Sequence, residues 1–342
     1  MSTTSITQPT NKLVLSDISD HLGDPSGRFF SNGYKRATYT THTITTSHDI
    51  DTLTSRIAAT IDVGLPPNWS VKKSGVQPPH VSTVDAMVVA MRSCATLLSQ
   101  VSPQPLSELS VVRVAVVGGD KPQETLDNIA VSGTLQLQTV QGHSRFRCEV
   151  GSLRVTLVVS GLRIDQIRHD LGQPLTVDPQ TDSSYWNEGF RRVSHTISDV
   201  TADIDALEAT GTIELSGDWP EVDGLEHSLG CRLPFVEAFV CTLQLAQVLF
   251  YALDGLSRSD SNTLWMMRTV ITPCDNADDT SAHTAPGDAG LRFPAAVRFE
   301  TVDKVPMDGG EWRFVEFTSV IGNTAIRAEF THDISHVVSQ SA

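Results

Sequence analysis

A chain of 342 residues fits one large domain or two of ordinary size, and hydrophobic residues at 39% with charged residues at 19% are the values of a globular chain able to bury a core. A formal net charge of −15 and a pI near 5.0 argue against a nucleic-acid partner, because neutralising phosphates needs a basic surface. The five cysteines, Cys94, Cys148, Cys231, Cys241 and Cys274, are an odd number with no CxxC pair, so neither a disulfide framework nor a zinc knuckle is expected.

The polar, Ser/Thr-rich start lacks a basic segment followed by an apolar run, so residues 1–21 read as a flexible leader and the protein as cytoplasmic. After an irregular stretch from Leu22 to Asn32, alternating Thr and aromatic or aliphatic residues predict a half-exposed strand over Tyr34–Thr45. Asp51–Ile61 is a helix candidate, broken by Pro66-Pro67-Asn68-Trp69. Thr83–Gln100 is apolar around nearly its whole circumference, which predicts a helix wrapped by other structure, with Ser82 as N-cap and Asp85 completing an approximate capping box. Strands are expected at Leu109–Val117, Ile129–Val140 and Ser144–Ser160, the last long enough to bend or divide at Gly151.

The same order then recurs. Asn32-Gly33-Tyr34-Lys35-Arg36-Ala37-Thr38-Tyr39-Thr40 and Glu188-Gly189-Phe190-Arg191-Arg192-Val193-Ser194-His195-Thr196, about 156 residues apart, share glycine, aromatic, basic, arginine, small, hydroxyl, ring and threonine positions. Gly189–Leu215 supplies opening strands with a bend at Thr210-Gly211-Thr212. Phe235–Leu256 reads as a second buried helix, since Glu237, Gln244, Gln247 and Asp254 interrupt it too often for a membrane span. Strands follow at Thr263–Thr272, Leu291–Val302, Gly310–Ile321 and Thr324–His332, with a tight hairpin at Gly322-Asn323. Asp275–Gly290 has the composition of a disordered segment.

A buried helix wrapped by one curved antiparallel sheet is the hotdog architecture. Two copies give an α+β double hotdog, with residues 22–170 as the first repeat, 171–187 as a linker, 188–334 as the second repeat and 335–342 as a tail. The alternative is a generic α+β pair of domains. A pseudo-twofold pair places an active site where the copies meet.

The helices begin Val84-Asp85-Ala86-Met87-Val88 and Val236-Glu237-Ala238-Phe239-Val240, so a carboxylate occupies the first turn of each. Such a residue can simply complement the helix dipole. In an otherwise apolar helix, however, burial raises its pKa toward a general-base value, which makes Asp85 and Glu237 catalytic candidates. His80 could shuttle a proton beside Asp85 or merely cap the loop, and the corresponding Arg232-Leu233-Pro234 has no histidine. Ser82 and Thr83 are helix caps that could also bind a ligand carbonyl. Of the basic pairs Lys35-Arg36 and Arg191-Arg192, strand alternation allows one member of each to point inward. Arg36 and Arg192, with Tyr34, are the candidates to hold a sugar, phosphate or pantetheine group, against the alternative of a solvated sheet edge. There is no G-x-S-x-G elbow, P-loop, G-x-G-x-x-G after a strand or H-E-x-x-H, and no cofactor is expected. His332, Asp333 and His336 have metal-like spacing but read as a surface tail rather than a metal site.

Asp20-His21-Leu22-Gly23-Asp24-Pro25-Ser26-Gly27-Arg28-Phe29-Phe30-Ser31-Asn32-Gly33-Tyr34-Lys35-Arg36, followed by His80-Val81-Ser82-Thr83-Val84-Asp85-Ala86, resembles the avirulence D protein family, a resemblance running from about Leu22 to Asp333. Members in plant-associated bacteria are implicated in making syringolides, acylated sugar lactones, and the logic is similar to that of A-factor-type butenolide synthases, which also use hotdog repeats. The resemblance implies condensation of a β-ketoacyl thioester, on an acyl carrier protein or CoA, with a hydroxyl of a xylulose-like sugar or polyol. The acyl chain would lie along the buried helix, whose N-terminus polarises the thioester carbonyl. Rival expectations are a hotdog thioesterase or dehydratase and a non-catalytic acyl-lactone-binding protein. No membrane partner is expected, and a homodimer stays open.

Overall fold

The computed structural model describes residues 11–73, 75–137, 142–163, 167, 184–217, 224–225, 233–274, 283–284, 291–307 and 310–335. Cys231, Arg232, His336, residues 171–183 of the expected linker and most of Asp275–Gly290 lie outside the described residues. In chain order the elements are β1 (Lys12–Asp17), α1 (Ser19–Leu22), β2 (Thr38–Asp49), β3 (Thr54–Gly64), β4 (Val71–Lys72), β5 (Gly75–Val76), α2 (Thr83–Val101), β6 (Ser110–Val117), β7 (Ile129–Gln136), β8 (Ser144–Val150) and β9 (Leu153–Ser160). They continue with α3 (Phe190–Arg192), β10 (Val193–Asp203), β11 (Glu208–Gly217), α4 (Phe235–Leu253), β12 (Leu264–Pro273), β13 (His283–Thr284), β14 (Leu291–Met307), β15 (Gly310–Ile321) and β16 (Thr324–Asp333).

The fold is a double hotdog. One antiparallel sheet runs β1-β10-β11-β14-β15-β16-β12-β6-β9-β8-β7-β3-β2, with β13 added beside β14. Its two halves mirror each other about the β6–β12 junction, where Val114 pairs Ile271 and Val117 pairs Arg268. Register shifts fall in corresponding strands of both halves, β2 with β10 and β6 with β12, and such bulges bend a sheet around what it covers. What it covers is α2 in one half and α4 in the other. Every residue of α4 from Phe235 to Tyr251 is buried, while α2 leaves only a stripe of Arg92, Ala95, Thr96 and Ser99 less than fully covered. Both helices are long and apolar enough to cross a membrane, but 78% and 89% of their apolar windows are buried inside the protein, which makes them core helices.

Several expectations need correcting. Lys12–Asp17, placed above in the leader, is a strand paired along β10, so the N-terminus of the chain closes the outer edge of the second half. Asp51–Ile61 is not helical: Ile57 and Ile61 alternate inward along β3. The turn before it holds a second repeat, Asp49-Ile50-Asp51-Thr52-Leu53 matching Asp203-Ile204-Asp205-Ala206-Leu207. In both copies an aspartate carboxylate accepts backbone N–H bonds within the turn and the leucine takes a left-handed conformation, φ 47° and 56°. This turn joins β10 to β11, so Gly211 lies within β11 rather than at a bend. Tyr34–Arg36 and Phe190–Arg192 are helical turns, and the strands start after them. Ser144–Ser160 divides at Gly151, as the sequence allows, and the Gly322-Asn323 hairpin forms. His332 is no surface residue; it is fully buried in β16 against Phe250 and Tyr251.

Candidate functional site

Asp85 sits at the third position of α2, wholly buried. Ser82 caps the helix as expected: its Oγ accepts from the Asp85 N–H at 3.2 Å, while Asp85 Oδ2 accepts from the Ser82 N–H at 2.8 Å and the Ser82 hydroxyl at 2.7 Å. The Tyr39 hydroxyl donates to Asp85 Oδ1 at 2.7 Å. Burial pushes the carboxyl above the usual carboxylate range, and these hydrogen bonds pull partly the other way. The perturbed acid is therefore the N3 partner of the Ser82 cap in a capping box.

Glu237, at the matching position of α4 in the second copy, has a different setting. Pro234 precedes α4 without any side-chain cap, so the carboxylate is held by two tyrosines instead: Tyr185 donates to Oε2, and Tyr34 reaches Oε1 at 3.5 Å. Tyr34, Tyr185 and Cys241 are buried around it, and the half-buried His195 stacks on Tyr34 with ring centroids 6.5 Å apart. Burial lifts the Glu237 pKa to about 7, opposed by the Tyr185 bond and the charge of Lys35. The same burial, with Lys35 and Arg28 nearby, drives His195 down to about 3, so its ring is neutral.

The two settings are knitted together across the seam. From α2, Arg92 donates to the carbonyls of Trp186 (2.9 Å) and Asn187 (3.0 Å) in the second copy, and from the equivalent place on α4, Gln244 donates to the carbonyl of Phe30 (3.0 Å) in the first. The repeated basic segments exchange in the same way. Arg191 lies 6.0 Å from the Tyr39 ring and donates to Ala37 O at 2.6 Å, while Lys35, 5.6 Å from the Tyr34 ring, lends its charge to Glu237. The repeated glycine has a steric reason too, for a Cβ on Gly33 would stand 2.7 Å from the Trp69 carbonyl oxygen.

A cavity of about 70 Å³ opens at this seam, lined among others by His80, Ser82, Trp69, Gln244 and Tyr251. His80 packs edge-on against Trp69, and its Nδ1 lies 3.1 Å from the Pro78 carbonyl oxygen. A carbonyl only accepts, which assigns the proton to Nδ1 and leaves Nε2 of the neutral ring as an acceptor. Of the residues singled out from sequence, the structure brings His80, Ser82 and Asp85 together. Thr83 is buried as the first residue of α2, and Tyr34 is enclosed beside Glu237. Arg36 and Arg192 are exposed; Arg36 bonds Asn68 Oδ1 at 2.7 Å, and neither lines the cavity. The inward members of the pairs are Lys35 and Arg191, because a helical turn spaces side chains by about 100° rather than alternating them. Tyr39 and His195, unassigned above, occupy the shared ring position of the repeated segment, which is the signal that marks them. Among the described residues no group of three His, Cys, Asp or Glu side chains could hold a metal ion.

The sequence matches the profile described as Pseudomonas avirulence D protein (AvrD) over residues 13–316. No curated protein matches it. Solved structures to which it is similar include the dehydratase domain of PpsC from Mycobacterium tuberculosis in complex with C12:1-CoA (11% identity, 84% of this chain and 96% of that one, TM-score 0.35). A MaoC-like dehydratase (12%, 73% and 81%, TM-score 0.35) and a pyran synthase domain from module nine of the sorangicin pathway (12%, 86% and 97%, TM-score 0.36) are similar to the same degree.

Proposed function

The chain belongs to the AvrD family, and on that premise we propose that it is a cytoplasmic enzyme of secondary metabolism that joins a β-ketoacyl thioester to a hydroxyl of a xylulose-like sugar or polyol, toward an acylated lactone of butenolide type. The observation that carries this reading is the seam cavity, where His80 and Ser82 line one space and the Ser82 hydroxyl is bonded to the buried Asp85 carboxylate. An acceptor hydroxyl entering there can pass its proton to Ser82 Oγ as the Ser82 hydroxyl passes its own to Asp85 Oδ2, while His80 Nε2 accepts from a second hydroxyl of the sugar or polyol and so positions it. Its oxygen attacks the thioester carbonyl carbon, the C–S bond breaks, and the thiolate of the carrier protein or CoA leaves and takes the proton back. The positive end of α2 favours the oxyanion that forms on the way. Glu237 is the pseudo-symmetric partner of Asp85 and supports the seam from the sealed side.

The test is mass spectrometry of purified protein incubated with β-ketoacyl thioesters and a pentulose or its phosphate. An acyl-sugar product is expected. Free β-keto acid alone would make the protein a thioesterase, an enoyl product from a 3-hydroxyacyl thioester a dehydratase, and tight binding of an acyl lactone without turnover a binding protein; each would overturn the reading.

A further inference from the structure

The seam cavity has a second set of walls that the acyl-transfer chemistry leaves without a role. Arg28, Lys72 and Arg258 all line it, and no aspartate or glutamate does. In a chain with 40 acidic and 25 basic residues this is the reverse of what composition favours. None of the three forms an ion pair with a carboxylate among the described residues. Their protein partners are neutral acceptors. Arg258 donates to the carbonyls of Val71 (3.1 Å) and Gly27 (3.0 Å), Lys72 to those of Ser261 (2.8 Å) and Asn262 (2.5 Å), and Arg28 to Gln244 Oε1 and Ser19 Oγ, both at 3.0 Å. Carbonyl ties fix a cation in place without neutralising it.

Arg28 is 3% exposed, and its buried Nε–H has no acceptor among the described residues. A buried donor without an acceptor, and a cation, Arg258, that repels both Arg28 and Lys72, are costly to keep. Burial together with the charge of Arg258 lowers Lys72 to about 7, and burial, again with Arg258, lowers Arg28 to about 10 against the opposite pull of Asp17 and Asp24. A multivalent anion relieves both costs at once, and guanidinium forks suit the oxygens of a phosphoryl group. The three cations come from separate segments on both sides of the seam, and the position matching Arg28 in the second repeat is Ser184, so this arrangement is not duplicated.

We propose that Arg28, Lys72 and Arg258 form a phosphoryl-binding site, one for the whole double hotdog, that anchors a phosphorylated substrate so that its reacting hydroxyl lies beside Ser82 and His80. The identity of the carrier of that phosphate rests on the acyl-transfer reading above, with the acceptor sugar as the favoured carrier; the site itself does not.

Calorimetric titration of the full-length protein with inorganic phosphate, pentulose 5-phosphate, unphosphorylated pentulose and CoA tests this without turnover. Inorganic phosphate should bind, and pentulose 5-phosphate should bind at least about tenfold more tightly than the free sugar, the loss of one or more charge-assisted bonds. Arg258→Gln and Lys72→Gln should each weaken both phosphate ligands by about tenfold or more and abolish the rise in Tm that phosphate gives the parent protein, while Arg113→Gln, at an exposed place on β6, changes neither. CoA competing with phosphate while pentulose 5-phosphate does not would keep the site and assign it to the thioester donor. Equal binding of sugar and sugar phosphate, no binding of phosphate or CoA, or phosphate affinity unchanged in folded Arg258→Gln and Arg258→Lys alike, would overturn it. Phosphate binding with no acyl-sugar product would count against the catalytic reading alone.

Discussion

The first turns of α2 and α4 began as the same structure and now differ in access. Both carry a buried carboxylate, a ring hydroxyl bonded to it and a basic residue from the repeated segment. Around Asp85 the capping serine stands between the carboxylate and the seam cavity, with His80 on the same wall. Around Glu237 there is no side-chain cap, and two tyrosines and a cysteine close over it, with His195 stacked on Tyr34. Duplication thus kept the frame in both copies, and the seam cavity meets it at the cap of one. An acid that is merely buried and an acid that a substrate can address are separated by what occupies the cap position.

That contrast can be broken in three ways. The largest effect is expected at the open site: His80→Ala should slow acyl transfer by about 10²-fold or more, the usual scale for a group that positions or moves a proton, with the thermal midpoint little changed. A rate within a few-fold of the parent would remove His80 from the reaction.

At the sealed site the effect should fall on stability. Folding lifts the Glu237 pKa from 4.5 to about 7, so the folded state holds its proton longer than the unfolded chain. Below the unfolded value both states are protonated and nothing is lost; as pH rises through that window the folded state is progressively penalised, by on the order of 3 kcal/mol once Glu237 is ionised. Denaturant titrations from pH 5 to pH 9 should show this decline in the parent and a flatter profile in Glu237→Gln. An equal slope in both would contradict the burial argument.

The smallest effects test the stitching. Arg92→Ala removes two charge-assisted bonds across the seam, and Gln244→Ala removes a neutral bond to Phe30 together with a charge-assisted one from Arg28, so a loss of about 2 kcal/mol is expected from each. Losses that differ severalfold, measured by chemical denaturation, would show that the copies are not held together in the same way on both sides.

The sequence carried the frame well and the walls poorly. Both core helices, their first-turn acids, the Ser82 cap and the strand order after each helix follow from local periodicity and capping chemistry, and these survive in the structure. Edge pairing does not announce itself locally: Lys12–Asp17 became a strand because β10, more than 180 residues later, offered it an unpaired edge. The orientation of Lys35 and Arg191 was hidden because a helical turn of three residues precedes each strand, too short to show a period. Arg28, Lys72 and Arg258 were invisible as a group, since each is an ordinary basic residue in its own segment and only the fold brings them together. Tyr185 lay in a stretch read as linker, yet it bonds Glu237. The repeated Asp-Ile-Asp-x-Leu turn was the one strong local signal passed over, and it distinguishes β3 from a helix.

The claim that matters most is that chemistry resides on the Asp85 side of the seam. Single-turnover formation of acyl-sugar from a preloaded β-ketoacyl thioester, compared between folded Asp85→Asn and Glu237→Gln proteins, tests it directly. The account predicts that Asp85→Asn loses the reaction by at least about 10²-fold while Glu237→Gln stays within a few-fold of the parent. The opposite ranking, or equal rates in the two variants, would contradict it.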